Sequence, residues 1–180
     1  MKTFEQLHSN LKLLKEQNKQ ALEVAITQTA EFAHNKLVDA IYDRYNYRYR
    51  GYIDERINLN VDSKDPAFSV SARMRKSNAA NFIDSPVYRN SKNQRTPGKQ
   101  VLAGYTGAFL RGQMSHWKGA FLFTGNNGNL LLGYRKKGVK TREIPEVSYG
   151  PSIAGALGVV KDDQVNPVMD HLSKMYQKAL

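Results

Sequence analysis

The chain has 180 residues, with 27 Lys and Arg against 16 Asp and Glu, a formal net charge of +11 and no cysteine. That length fits one domain, and 41% hydrophobic content with ten Tyr, seven Phe and one Trp is enough for a core, which excludes global disorder. The lack of Cys excludes a disulfide framework, a zinc knuckle and a thiol enzyme; no run approaches the roughly 18 apolar residues of a membrane span, so no membrane partner is expected, and the polar first twenty residues lack the apolar core of a secretory leader.

The first Gly is Gly51 and the first Pro is Pro66, and residues 3–45 read as helix. Leu22, Ile26, Ala30, Ala33, Leu37 and Ile41 recur every three or four residues and share one face. Phe4, Leu7, Leu11 and Leu14 continue a similar stripe upstream, but residues 15–20 (KEQNKQ) are polar all round. The pattern therefore allows two helices or one long helix with a solvated middle. One uninterrupted helix would span roughly 60 Å, longer than a compact domain of this size needs.

Tyr42, Tyr45, Tyr47, Tyr49 and Tyr52 then crowd around Arg44, Arg48 and Arg50. Interleaved Tyr and Arg suits a protein interface or a nucleic-acid platform. The admixture of Asp43, Asp54 and Glu55 favours an interface, or a core where the helix ends, with Tyr45, Tyr47, Arg48, Tyr49 and Arg50 as its centre. Ile53, Arg56, Ile57 and Leu59 suggest a short second helix or turn, ended by Asp65-Pro66. Phe68, Val70 and Ala72 alternate with Ser69, Ser71 and Arg73 as in a strand.

Residues 84–100 (DSPVYRNSKNQRTPGKQ) read as a long exposed basic loop carrying Arg89, Lys92, Arg95 and Lys99. Twelve of the thirteen glycines fall in residues 98–158, so strands and turns are expected there. Residues 117–123 (WKGAFLF) and 130–134 (LLLGY) flank an Asn-Asn-Gly stretch, a hairpin signal. Residues 135–140 (RKKGVK) form a basic turn, and Ile144-Pro145 and Tyr149-Gly150-Pro151-Ser152 read as an extended segment with a rigid turn. Asn166-Pro167 marks the start of a last helix in which Val168, Leu172, Met175, Tyr176 and Ala179 share one face.

The expected fold is α+β: a long N-terminal helix, a small antiparallel β-sheet with a β-hairpin and a long basic loop, and a C-terminal helix. It forms a single domain over 1–180, with a helical arm (1–48), a β-rich basic body (49–160) and the closing helix (161–180).

The charge is concentrated. Residues 85–142 contain no Asp or Glu and eleven basic residues, while the other 16 basic residues balance all 16 acidic ones. A one-sign surface of that size attracts an anionic partner. A merely solubilising surface would not explain the complete lack of acids. Arg135, Lys136, Lys137, Lys140 and Arg142 are the densest cluster and the candidate interface or DNA-channel contact.

No nucleotide-binding or hydrolase motif is present, and His8, His34, His116 and His171 show no metal-ligand spacing. An enzyme, a cofactor and a bound metal are therefore not expected.

The order of the segments carries a resemblance. A long helix leads to Ile53-Asp54-Glu55-Arg56-Ile57, then a strand and an acid-free loop, Gly119-Ala120-Phe121, a hairpin ending in Gly133-Tyr134-Arg135, Ile144-Pro145, Tyr149-Gly150-Pro151-Ser152 and a final helix. This arrangement resembles the tail-completion family of long-tailed bacteriophages, also called minor tail protein Z. The family often has Pro-Ile where this chain has Ile144-Pro145. The resemblance implies a structural virion protein of the tail or neck, made in the host cytoplasm, which completes the head-proximal end of the tail so that a filled head can join. It implies a ring of copies, expected to be a hexamer, stacked on tail terminator, tail tube or connector proteins, with DNA passing close by. The alternative is a sequence-non-specific nucleic-acid-binding protein that uses the basic 85–142 segment.

Overall fold

The computed structural model of the protein describes residues 4–62, 66–93, 95–135, 138 and 144–180; in the first helix, side chains are described at Leu13 and from Glu16 onward. Helix α1 (Phe4–Arg44) is one continuous element of 41 residues, so the open choice between one helix and two falls to one. With no Gly or Pro before residue 51, nothing interrupts the backbone ladder. The predicted stripe faces inward: Ile26, Ala30, Ala33, Leu37 and Ile41 are buried. A second row of Ala21, Ala25, Thr29 and Val38 is buried beside it. The polar run 16–20 is exposed.

The small residues of α1 let another helix approach closely. Helix α4 (Val165–Ala179) lies against this half of α1. Its His171 ring stacks on Phe32 with centroids 4.1 Å apart, and His171 Nδ1 is 3.3 Å from the buried Thr29 hydroxyl. Val168, Leu172, Met175, Tyr176 and Ala179 are half-buried on the face the sequence assigned to them. The helix starts at Val165, so Pro167 occupies its first turn without costing a backbone hydrogen bond.

Tyr149–Ser152 is extended as expected, but the residues that follow, counted with the β-rich body, need correction. Ile153–Val160 is a helix (α3), and the 3-10 turn Asp162–Gln164 joins it to α4. Ser152 caps α3 by accepting a hydrogen bond from Gly155 N at 3.0 Å. The two glycines of this segment mask its helical period, and burial of Ile153, Ala156 and Val160 overrides their low propensity. Removing the cap with Ser152→Ala should cost about 1 kcal/mol. In thermal melts of a domain this size that is a loss of roughly 2–4 °C; no shift would mean the cap is dispensable.

The second helix is shorter than expected. Helix α2 covers Arg50–Asp54, and Ile57 and Leu59 belong instead to strand β1 (Ile57–Val61). Strand β2 (Phe68–Ala72) is where the alternation placed it, and it pairs antiparallel with β1 from Ile57↔Ala72 to Val61↔Phe68. Strand β3 (Lys76–Asn78) leads into a 3-10 turn, Ala79–Phe82.

The 17-residue loop is the second correction. Ile83–Asn90 forms strand β4, which pairs with β5 (Gln100–Gly107) across a hairpin loop described at 91–93 and 95–99. Most of β4 is exposed, so no alternation of burial marks it in the sequence. It is an edge strand, which is why Pro86 is tolerated within it. Strand β6 (Ser115–Lys118) lines the other side of β5. Gly104 has φ +141 and lies so close to the Trp117 carbonyl that no Cβ would fit between the strands.

The predicted hairpin is present. Strands β7 (Phe121–Thr124) and β8 (Leu130–Tyr134) pair antiparallel, with Gly128 at φ +77 in the connecting turn. Strand β9 (Glu146–Val147) extends that sheet, and β10 (Tyr149–Ser152) pairs with β3.

Two apolar clusters hold the body. The larger gathers α1, α3, Tyr47, Ile53, Ile57 and Phe82; the smaller gathers Ala79, Ile83, Ala120 and Leu132. Trp117 packs against both and couples them.

Candidate functional site

After α1 the chain passes straight through the body. Asn46 N donates to Phe109 O at 3.0 Å, Arg48 N to Asn81 O at 2.8 Å, and Arg111 N to Arg44 O at 3.0 Å. This threading splits the Tyr/Arg cluster into two groups. Tyr45 and Tyr47 are 8% and 2% exposed, so their rings belong to the core and offer no face to a partner. Tyr47 packs on Phe82 at 4.4 Å and on Tyr52 at 5.6 Å. Its hydroxyl donates to Pro151 O at 3.0 Å and lies 3.2 Å from the buried Ser77 hydroxyl. Burial pushes the Tyr47 phenol up from 10.0 to about 12. Tyr49 stays exposed with Arg48 over its ring at 5.3 Å, and Arg50 binds Asp39 of α1 at 2.6 Å, fixing α2 to the long helix.

The basic block also divides. Arg111 donates to Tyr42 O at 2.6 Å and lies over the Tyr42 ring at 4.3 Å. It thus places a cation on the carbonyl end of α1, where the helix dipole favours one. Arg135 lies over the Phe121 ring at 5.1 Å. Lys136, Lys137, Lys140 and Arg142, the rest of the densest predicted cluster, lie outside the described residues. Arg89, Lys92, Arg95 and Lys99 all sit on the β4–β5 hairpin, exposed, and make no ion pair among the described residues.

That hairpin loop is held by its own backbone. Ser91 N donates to Lys99 O at 2.7 Å, and Asn93 Oδ1 accepts from Arg95 N at 3.0 Å. Thr96-Pro97-Gly98-Lys99 closes with Lys99 N on Thr96 O at 3.4 Å and Gly98 at φ 73, as in a type II turn. Below the loop, Tyr88 and Leu102 face each other across the strands and are 58% and 38% exposed.

The segments that carry the resemblance are structural joints. Phe121 pairs with Gly133 across β7 and β8, and Ala120 is buried in the smaller cluster. Tyr149 is exposed, but Gly150 lies against the Phe82 ring, Pro151 accepts from Tyr47 and Ser152 caps α3. Sequence reasoning did not single out Phe82, Ser77 or Arg111 for these roles. Arg111 stands far from Tyr42 in the chain, and nothing local marks their meeting.

The histidines stay apart. His34 is near Asp54 at 3.6 Å, His171 stacks on Phe32, and the His116 ring lies over Gly104. Among the described residues no cluster of metal-ligating side chains forms, and no helix is long and apolar enough to cross a membrane. Comparisons with known protein families, curated proteins and solved structures gave no match.

Proposed function

We propose that the chain is a structural virion protein that completes the head-proximal end of a long-tailed phage tail and enables head–tail joining through ring-forming interfaces, with no catalytic role. The observation that carries this reading is an excess of surface. The accessible area is 13028 Å² for a mass of 20.4 kDa. A compact monomer of that mass exposes roughly 8,800 Å². A compact domain of this length is about 40 Å across, whereas α1 spans about 60 Å. Such a shape suits a subunit whose helix reaches across an assembly. The order of the tail-completion-like segments supports the same reading. A ring requires unlike faces to meet, and the helical pair α1–α4 offers one face while the β-rich body offers another.

The test is assembly. Purified protein should form rings by mass measurement and bind the head-proximal end of isolated tails. A protein that stays monomeric, ignores tails and binds DNA strongly at physiological salt would overturn the proposal in favour of a free-standing nucleic-acid-binding protein.

A further inference from the structure

We infer that the β4–β5 hairpin tip is a preorganised cationic finger for the phosphate backbone of duplex DNA, read without sequence preference. In the tail reading, on which the identity of the DNA rests, this would be the genome passing through the neck. Arg89, Lys92, Arg95 and Lys99 are exposed and have no ion pair among the described residues, whereas Arg111 and Arg135 lie over rings of the body. The acid of this hairpin, Asp84, is at the opposite end of β4, occupied by the Ser85 and Thr106 hydroxyls at 3.1 and 3.4 Å.

The loop's hydrogen bonds and type II turn fix the backbone on which the cations stand, so little backbone ordering entropy is lost on contact. Their spread along the ribbon is roughly 10–15 Å, comparable to about four phosphates of one strand. A two-stranded ribbon also has the width that a major groove admits.

The chemistry of the tip favours phosphate over an acidic protein surface. Protein interfaces draw their energy from a desolvated apolar or aromatic centre in which Lys is depleted. Residues 91–99 supply Ser, Lys, Asn, Gln, Arg, Thr, Pro and Gly, with no apolar anchor among them; the exposed Tyr88 and Leu102 lie below the loop, beside Arg89. Counterion release from DNA needs only the charges.

The experiment is a salt titration of the full-length protein on a labelled 20-base-pair duplex of arbitrary sequence. Four phosphate contacts predict a log–log slope of about −3.6, or roughly 150-fold weaker binding between 50 and 200 mM salt. K92A/R95A/K99A should flatten the slope by about 2.7 and leave cooperative unfolding unchanged. The control R73A/R75A/K76A removes the same charge from the exposed β2–β3 connection and the first residue of β3 and should keep the slope. No binding at 50 mM, or an equal loss in the control, would overturn the assignment. So would a hairpin variant that keeps its DNA slope but loses ring formation or tail binding, which would make the finger a protein contact. Rings and tail binding are scored separately, so the DNA assignment can fail while the tail role stands, and the reverse.

Discussion

Phe82→Ala is expected to lower the free energy of unfolding by about 3–5 kcal/mol, a large share of what a domain of this kind possesses. Phe82 is fully buried, with Tyr47 at 4.4 Å and Phe109 edge-on at 5.2 Å. Gly150 closes a further side: a Cβ there would be 2.5 Å from the ring. Truncation removes the ring's transfer energy and leaves a cavity that three separate chain segments would have to collapse to fill. In urea the midpoint should fall with little change in slope. The same geometry predicts coupling. Gly150→Ala alone should be strongly destabilising, yet less so on top of Phe82→Ala, because the nearer clash partner is gone and the Phe109 ring, 2.9 Å from the added Cβ, gains room to shift. Additive effects, or a Phe82→Ala cost below about 1 kcal/mol, would show that the core is not centred on this ring.

Tyr47→Phe is expected to cost about 1–3 kcal/mol at neutral pH and to remove a pH dependence at the alkaline end. The substitution leaves the Pro151 carbonyl without its phenolic donor and the buried Ser77 hydroxyl without its partner. Burial raises the folded-state phenol to about 12, against 10.0 in the unfolded chain. The neutral phenol's contribution is therefore whole below pH 10. It is lost as pH rises from 10 towards 12, where the unfolded chain ionises and the folded one still holds its proton. The loss approaches about 2–3 kcal/mol. Lysines and other tyrosines titrate in both proteins, so the quantity to measure is the difference between wild type and Tyr47→Phe across that range. Parallel curves would refute the buried phenol.

These two residues show why the site was only partly legible. Tyr47 stands in a run of tyrosines and arginines that looks like a surface, and the sequence marks all five tyrosines alike. Backbone hydrogen bonds from residues 46, 48 and 111 to segments far away in the chain choose which rings turn inward. Phe82 carries no special pattern at all; it is central because β10, the 45–48 segment and the 107–110 connection converge on it. The cationic finger lay between these extremes. Its residues were visible as an acid-free block, but that block looked like a loop because β4 is exposed along most of its length and no alternation betrays it.

Local chemistry dictates part of this fold directly. A 3.6-residue period without Gly or Pro makes α1, a two-residue period makes β2, Asn-Asn-Gly between apolar runs makes the β7–β8 hairpin, and an amphipathic last segment makes α4. The sequence also located the whole +11 charge in residues 85–142. Where the described part of that charge sits is set by tertiary contacts. Arg111 was drawn to the carbonyl end of α1 and Arg135 to the Phe121 ring, because each meets there a partner brought by folding. Arg89, Lys92, Arg95 and Lys99 were carried out to the tip of a ribbon, beyond any ion-pair partner among the described residues. Period and propensity act over a few residues, whereas burial, capping by distant side chains and charge pairing depend on which segments the fold brings together.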